Sequence, residues 1–512
     1  MRVLIFHGYL LRGTGSNVYN ANLAAALGRL GHEVHLLCQD RDPPRLPGVT
    51  VHNPDIGRVL PVYVADRYEG FDARPFPELT DEELDRYLEA NVAAVRDIAA
   101  RVEPDVALAN HLVMGPAILC RGLEGSVPYA VKIHGSALEY TVKPHPERFG
   151  PYAREGLEGA AAVLVGSRHT AESLWAAMDD PGLPARTRLG PPGVDVEAFA
   201  PRAPQEAAAG VRRLAAGLAA RATSGEAATD AAAAGEAAAA EASSFHLDPA
   251  AAAAALARLR PGEDRLVAFV GKLIVSKGID LLLAAWPLVL QREPRARLVV
   301  VGFGAYREAV ERMLATLAAG DLDAVRELAL AGREAEGGPR GRLEMLLAFL
   351  DRLEADHDAR ARYLDAAAGL ADAVVLTGRL EHEDLAELLP ACEALVTPST
   401  FPEAFGMVAV EAAACGVFPV SAGHSGLAEV ADVLARAVPE PVRDWLTFAP
   451  GPRAVDDLAA ALGDWLAAPE DVREPTRHAL VETVGARWSW EGVARGVLAA
   501  AQGRLDELDP PR

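Results

Sequence analysis

The chain alternates short, continuously apolar runs with longer stretches of helical periodicity. Residues 3–9 are apolar, residues 17–30 carry helical periodicity, and residues 33–38 are apolar again. Further apolar runs follow at 105–110, 129–135 and 162–167. Because these runs are continuous rather than alternating, we expect parallel strands that helices cover on both faces. Residues 1–195 therefore predict a doubly wound α/β domain.

A second series of the same kind follows residue 262. Its apolar runs lie at 265–273, 297–304, 373–378, 394–399 and 418–423. We place this domain at 262–440, and further helices at 441–512. The whole pattern predicts two Rossmann-like, doubly wound α/β domains that face each other across a cleft, where ligand sites are common.

Two segments interrupt this alternation. Residues 203–260 include an alanine-dominated stretch, 207–242, that contains no aromatic residue and almost no large apolar face. We expect an insertion or linker there, partly helical or disordered, without chemistry. Residues 306–370 are charged, carry helical periodicity and are too long for an ordinary connection, so they predict an inserted helical hairpin.

Composition narrows the classes of partner. The 512 residues include 72 acidic and 50 basic ones, a net charge of −22. This charge repels nucleic acid and anionic membrane surfaces, so neither is an expected partner. The cysteines have no C-x-x-C spacing and are interpreted as buried thiols: Cys38, Cys120, Cys392 and Cys415. Without an apolar stretch of membrane-spanning length or a signal peptide, we expect a cytoplasmic protein with no transmembrane segment.

The segment 397–430 is the most informative for chemistry. It predicts a helix that starts near Ala404, with Glu403 just before the start and Glu411 about two turns inside. Unpaired N–H groups at a helix start favour anions and polar oxygens. One carboxylate can bind sugar hydroxyls while the other holds a ribose diol. Taken alone, two such glutamates favour the simpler interpretation, solvated charges on a helix.

This segment resembles the retaining glycosyltransferases of family 4, which have the GT-B fold and the pattern P-E-x-F-G-x-x-x-x-E-A-x-A-x-G. The matching residues are Pro402, Glu403, Phe405, Gly406, Glu411, Ala412, Ala414 and Gly416. Pro419 and Val420 follow one residue later than is usual in the family. The resemblance implies transfer of a sugar from a nucleotide-diphosphate sugar, most often a UDP-sugar, without a metal or other cofactor. It also implies that the last helix, at 487–500, crosses back to the first domain.

Two lysines fall in the segment 270–278. A departing diphosphate develops negative charge, so cations are needed beside it. Lys272 ends a strand and Lys277 precedes a helix. The family usually has arginine at the position of Lys272, and lysine lacks the planar fork of arginine.

The resemblance assigns roles to individual positions. Catalytic roles fall on His134, Lys277 and Glu403, with His134 hydrogen-bonded to the donor sugar. The donor-binding residues are Gly13, Gly15, Ser16, Lys272, Lys277, Leu380, Glu403, Phe405, Gly406, Met407, Val408 and Glu411. Asn110 and His111 stay open between a structural role and contact with the acceptor.

Other functions compatible with this architecture are a nucleotide-sugar epimerase, a dinucleotide oxidoreductase and a catalytically silent nucleotide-sugar-binding protein. The Glu403 to Glu411 segment argues against the epimerase. The loop after the first strand reads G-T-G-S-N-V rather than G-x-G-x-x-G, which argues against the oxidoreductase. The expected polar residues are present, which disfavours the silent protein. The acceptor is unidentified; a carbohydrate or small metabolite is favoured over a lipid.

Overall fold

The computed structural model describes residues 1–12, 15–63, 70–224 and 247–511. Backbone contacts divide the chain into two compact units. Unit 1 comprises Met1–Val194 with Arg487–Arg512, and unit 2 comprises Asp195–Ala486.

Unit 1 is built on a seven-stranded, fully parallel sheet. The strands of this unit are β1 (Arg2–Phe6), β2 (Glu33–Leu37), β3 (Val49–His52), β4 (Val59–Val62), β5 (Asp72–Pro75), β6 (Val106–Asn110), β7 (Tyr129–Lys132), β8 (Ala162–Val165) and β9 (Thr187–Leu189). The sheet order is β3-β2-β1-β6-β7-β8-β9, and β4 and β5 form a separate pair. Its first helices are α1 (Gly15–Arg29), α2 (Asp81–Val102), α3 (Gly115–Leu123), α4 (Pro146–Glu158), α5 (Arg168–Met178) and α6 (Leu183–Arg186). One apolar cluster lies on each face of the sheet, because the strands are apolar at successive positions.

Unit 2 repeats this design with a six-stranded parallel sheet. Its strands are β10 (Arg265–Val270), β11 (Ala296–Val301), β12 (Val374–Gly378), β13 (Cys392–Thr397), β14 (Phe418–Ala422) and β15 (Thr447–Phe448), in the order β12-β11-β10-β13-β14-β15. The helices that follow β9 along the chain are α7 (Pro204–Ser224), α8 (Pro249–Leu256), α9 (Ile279–Arg292), α10 (Arg307–Ala318), α11 (Leu322–Ala331), α12 (Glu344–Ala355), α13 (His357–Ala367), α14 (Leu370–Ala373), α15 (His382–Leu388), α16 (Met407–Ala414), α17 (Ser425–Ala435), α18 (Ala454–Ala467), α19 (Glu470–Arg487) and α20 (Trp490–Ala501), the last of which belongs to unit 1. The prediction of two doubly wound α/β domains is confirmed.

Helix α20 returns to unit 1, where it packs against α1 and the strands β6, β7 and β8. Trp490, Ala494 and Val497 are buried in the apolar cluster on that face of the sheet. Val194 N donates to Trp488 O at 2.7 Å, so the two ends of unit 1 meet directly.

The alanine-rich segment differs from its expectation as a linker without an apolar face. Helix α7 buries Val211, Leu214 and Leu218, and it packs against α8 and α15. Arg213 forms an ion pair with Glu387 at 2.8 Å. Three large apolar residues at helical spacing are therefore enough to fasten this helix to unit 2. Residues 225–246 of the same segment lie outside the described residues.

The inserted segment 306–370 is helical, as predicted, but it is more than a hairpin. It contains the four helices α10 to α13 and a short helical turn, Arg333–Glu336, between α11 and α12. Tyr363 on α13 is fully buried and donates to Ala284 O on α9 at 2.9 Å, which anchors the insertion to the sheet domain.

Candidate functional site

The turn before α9 carries Lys277 against the end of β13. Gly278 has φ +68°, and a Cβ there would overlap the carbonyl oxygen of Pro398. Glycine alone allows this approach without strain. Thr400 N donates to Ser276 O at 2.9 Å, which fixes the turn to the segment after β13.

This close approach brings Lys277 to Glu403. The Lys277 ammonium forms an ion pair with Glu403 Oε1, and Ser399 Oγ donates to the same oxygen at 2.7 Å. Glu403 N donates in turn to Ser425 Oγ at 2.9 Å. Burial raises the pKa of Glu403, but the Lys277 charge and these hydrogen bonds outweigh it, so the net pKa lies below the ordinary value. The carboxylate is therefore ionised at neutral pH.

Glu411 has a different partner, which the sequence did not reveal. Its side chain is only 3% exposed, and Oε1 lies 2.8 Å from His382 Nε2. Burial lowers the pKa of His382, but the neighbouring Glu411 carboxylate raises it more, and the net pKa is above the ordinary value. The ring of Phe199 lies 4.9 Å from that of His382. The signal in the sequence was a polar residue shortly after the strand that ends at Gly378.

Helix α16 begins at Met407 rather than near Ala404. Glu403 therefore lies four residues before the helix, and Glu411 is its fifth residue. The later start has a steric cause: a Cβ on Gly426 would lie 2.7 Å from Phe405 Cα, so the segment before α16 is pressed against the start of α17. No side chain among the described residues caps α16, so its first N–H groups suit an external acceptor.

Two other predicted donor residues line strand ends in unit 2. Lys272 follows β10, and its Nζ lies 6.0 Å from the centre of the Phe303 ring. Leu380 is buried just after β12. Its neighbour Arg379 pairs with Glu381 at 2.8 Å. The carboxyl ends of parallel strands meet at one edge of a sheet, so these residues share an edge with Lys277 and Glu403.

In unit 1, His134 is bound to Asn110. His134 Nε2 lies 2.8 Å from Asn110 Oδ1. The amide nitrogen of Asn110 donates to Phe6 O at 3.1 Å and to Asn20 Oδ1 at 2.7 Å. These two donations identify the amide nitrogen, so the atom that faces His134 is the oxygen. An amide oxygen can only accept, and His134 therefore carries its proton on Nε2. The His134 Nδ1 atom then has a lone pair that can accept a hydrogen bond from a hydroxyl group.

The same reasoning determines the tautomer of His7, another member of this network. Its Nε2 lies 3.0 Å from both Leu10 O and Asn17 Oδ1, which are acceptors. Its Nδ1 accepts from Asn20 Nδ2 at 3.0 Å. Burial lowers the pKa of His7 to about 4, so the ring is neutral at physiological pH. Asn20 thus links His7 to Asn110 without a formal charge.

His111 and Lys132 are two more buried titratable residues near His134. His111 is buried with φ +69°, its ring lies 4.8 Å from that of His134, and neither ring nitrogen has a partner among the described residues. Burial lowers the pKa values of His111 and His134 well below their usual range. Lys132 is also buried, donates to Gly190 O at 2.6 Å and has its pKa lowered by burial to about 7.

The predicted glycine loop is described only in part. Gly13 lies outside the described residues, whereas Gly15 and Ser16 open helix α1. Ser16 O accepts from Asn20 Nδ2 at 2.9 Å, which joins the loop to the His7 and Asn110 network. Asn17 and Asn20, one helical turn apart on α1, were not predicted; their amide chemistry needs the strand neighbours to be known.

Within the described ranges, no group of three or more His, Cys, Asp and Glu side chains could hold a metal ion. Nor does that part of the chain contain a helix with the length and apolar character needed to cross a bilayer.

Family models match nearly the whole of both sheet domains. One model, for Glycosyltransferase Family 4, matches residues 13–198. Two models, both for Glycosyl transferases group 1, match residues 264–329 and 327–480.

Similar characterised proteins carry transferase names. A D-inositol 3-phosphate glycosyltransferase of Segniliparus rotundus is 31% identical over 50% of this chain and 44% of its own length. One from Frankia alni is 26% identical over 81% of this chain and 78% of its own length. A GDP-mannose-dependent alpha-(1-6)-phosphatidylinositol monomannoside mannosyltransferase of Mycolicibacterium smegmatis is 27% identical over 50% and 52%. The chain thus spans about half, or less, of the first and third of these relatives.

Solved structures agree on the fold. Sucrose-phosphate synthase from Thermosynechococcus elongatus superposes with a TM-score of 0.58 at 19% identity, over 99% of both chains. Anabaena HepE, solved in complex with UDP, gives a TM-score of 0.55 at 15% identity, over 98% of this chain and 100% of that one. The chain belongs to glycosyltransferase family 4 and has the GT-B fold.

Proposed function

We propose that this protein is a retaining glycosyltransferase that moves a sugar from a nucleotide-diphosphate sugar to a polyol hydroxyl. The observation that carries the proposal is the arrangement in unit 2 of Lys277, Glu403 and Glu411 around the uncapped start of α16. A cation, an anion-binding helix start and a buried carboxylate are the groups that a diphosphate and a ribose require.

Each residue has a defined task in this reaction. Lys277, supported by Lys272, binds the diphosphate and stabilises the charge that grows on it as the sugar departs. Glu411 holds the ribose diol, with His382 fixing the orientation of its carboxylate. Glu403 binds sugar hydroxyls, and the backbone of 405–408 completes the donor pocket.

Unit 1 contributes neutral hydrogen-bonding groups. His134, with its lone pair on Nδ1, accepts a hydrogen bond from a hydroxyl of the donor sugar. No protein base is required in a retaining transfer of this type, because the leaving phosphate oxygen accepts the proton of the acceptor. The protein acts by positioning and by electrostatic stabilisation, and it needs no metal.

The substrates follow from chemistry and from the relatives. We propose a UDP-sugar as donor, with GDP-mannose as the second choice because one relative is named for it. The names of the relatives place their acceptors among inositol phosphates and phosphatidylinositol derivatives. We propose the soluble inositol phosphate class, because a net charge of −22 opposes approach to an anionic lipid surface. The four cysteines are unbonded, as is usual in a reducing compartment, and we place the reaction in the cytoplasm.

A ligand screen followed by a product assay tests this function. Nucleotide sugars are first ranked by thermal shift, since a ligand at about a hundred times its dissociation constant adds about 2.7 kcal/mol. The best donor is then incubated with inositol phosphates, and the anomeric configuration of the product is determined by NMR. We expect transfer with retention. An epimerised donor, an inverted product or no transfer would contradict the proposal.

A matched pair of variants assigns the activity to the site. Glu411→Gln removes one charge from the buried carboxylate and should abolish most of the transfer. Glu474→Gln removes the same charge from an exposed position on α19 and should leave the transfer unchanged. Equal activity of both variants would remove Glu411 from the site.

A further inference from the structure

The turn that carries Lys277 is bonded to the helical insertion as well as to the candidate donor site. Val275 N donates to Glu336 Oε2 at 2.7 Å. Val275 opens the short helix Val275–Lys277, and the first N–H groups of a helix have no partner within it. Glu336, in the insertion, therefore supplies the missing acceptor from 61 residues further along the chain.

The carboxylate of Glu336 is held in place by its own surroundings. The side chain is 11% exposed, and its other oxygen lies 3.2 Å from Arg333 Nε. Arg333 N donates to Gly341 O at 3.1 Å, and Leu343 N donates to Ala329 O at 2.9 Å. These backbone bonds close the connection between α11 and α12 into a compact loop that presents Glu336 to the turn.

The opposite side of the turn faces the donor residues. Thr400 N binds Ser276 O, and Lys277 pairs with Glu403. The turn is thus held between the segment after β13 and the insertion. Loss of the Glu336 contact would leave Val275 N–H, and with it the start of the turn, without one of its fixed partners.

We propose that Glu336 is a positioning residue for donor binding, which acts on Lys277 through the Val275 amide. The insertion 306–370 is then part of the donor site's support rather than a passive addition. This inference rests on the proposed function, because it takes Lys277 as the residue that binds the donor diphosphate.

Three variants separate this role from a general loss of charge. Glu336→Ala removes the acceptor, and Glu336→Gln keeps an acceptor oxygen but removes the charge. Glu334→Gln is the matched control, because Glu334 lies in the same helical turn but pairs with the exposed Arg340 at 3.4 Å. Hydrogen exchange of the peptide that covers residues 273–278 reports the contact without any ligand. We expect faster exchange in Glu336→Ala, and wild-type exchange in Glu334→Gln.

Binding of UDP and GDP, measured by calorimetry, then reports the consequence. We expect Glu336→Ala to weaken binding of the nucleotide that the wild type binds by about fivefold to tenfold, the usual worth of one ordinary hydrogen bond, with Glu336→Gln in between. In a Lys277→Ala background, Glu336→Ala should cause no further weakening, because the two residues act in series. Equal weakening in both backgrounds, or wild-type binding by Glu336→Ala, would overturn the inference.

The two proposals fail in different ways. If neither nucleotide binds the wild-type protein, the proposed function is overturned, and with it the role of Glu336 in donor binding. If nucleotide binds but exchange at 273–278 is unchanged in Glu336→Ala, the inference alone is overturned.

Discussion

The two units place opposite electrostatic environments at the strand ends of similar sheets. In unit 2 the candidate residues form ion pairs, Lys277 with Glu403 and His382 with Glu411, and this pairing lowers the net pKa of Glu403 and raises that of His382. In unit 1 the corresponding residues, His134 among them, are linked by neutral amides, and burial lowers their pKa values. This difference suits the proposed function, because a diphosphate needs charges whereas hydroxyl groups need oriented neutral donors and acceptors.

Removal of the cation from the charged unit should have the largest effect. Lys277→Ala should lower turnover by about 10²- to 10³-fold, the usual loss for a group that stabilises developing charge. The melting temperature should change little, because the Lys277 and Glu403 side chains are 30% and 26% exposed. Steady-state kinetics and thermal unfolding measure the two quantities. Unchanged turnover would place Lys277 outside the reaction.

A charge introduced into the neutral network of unit 1 should have the second largest effect, a loss of stability. Asn110→Asp removes the two donors that serve Phe6 O and Asn20 Oδ1 and buries a carboxylate beside those acceptors. We expect a loss of about 2 to 4 kcal/mol in the free energy of unfolding, measured by urea denaturation. Asn22→Asp, at a half-buried position of α1, is the control.

The same variant reports the protonation of His134. A carboxylate at position 110 favours the imidazolium, so the His134 pKa should rise and its ¹⁵N ring signals should shift toward the doubly protonated form. In the wild type, those signals should show a proton on Nε2 alone. A proton on Nδ1 would contradict the tautomer derived from the Asn110 network.

Lys132 tests whether unit 1 excludes charge. Its folded pKa is lowered from 10.5 to about 7, so between these values the unfolded chain holds a proton that the folded chain does not. Stability should therefore rise with pH across this window. Lys132→Met should abolish that rise and stabilise the protein at pH 7 by about 1 to 3 kcal/mol, after allowance for the lost bond to Gly190 O. An unaltered pH profile would show that Lys132 is already solvated.

The smallest effect concerns His382 in unit 2. Its folded pKa is raised by Glu411, so its contribution to stability is complete below pH 6.5 and is lost as the pH rises through the folded pKa. His382→Gln should remove this dependence, which we expect to amount to less than about 1 kcal/mol. Thermal unfolding at pH 6 and pH 8 measures it. A steeper dependence of stability on pH in the variant would contradict the raised pKa of His382.

The sequence could predict features that depend on neighbouring residues, but not contacts between segments that are distant along the chain. The central strands are continuous apolar runs, so most of both sheets could be predicted. The strands that are short, alternating or polar were not predicted: β3, β4, β5, β9 and β15. The prediction of Glu403, Glu411 and Lys277 as site residues came from a family motif. His382 was missed because it pairs with a residue 29 positions further along the chain, on another helix.

The alanine-rich segment shows a second limit. Val211, Leu214 and Leu218 have helical spacing, but the alanines around them dilute the pattern. Their burial depends on the packing of α7 against α8 and α15. The ion pair of Arg213 with Glu387 likewise requires α15 to lie beside α7. Similarly, no local pattern connects Glu336 with Val275. Such contacts depend on tertiary structure and are absent from the periodicity of the chain.

The position of α20 has a consequence for biosynthesis. Trp490 and its neighbours fill the core of unit 1, yet they are synthesised after the whole of unit 2. A ribosome therefore releases residues 1–194 long before the helix that covers their sheet. Until then the nascent sheet exposes apolar surface, and chaperone binding during translation should concentrate on this unit.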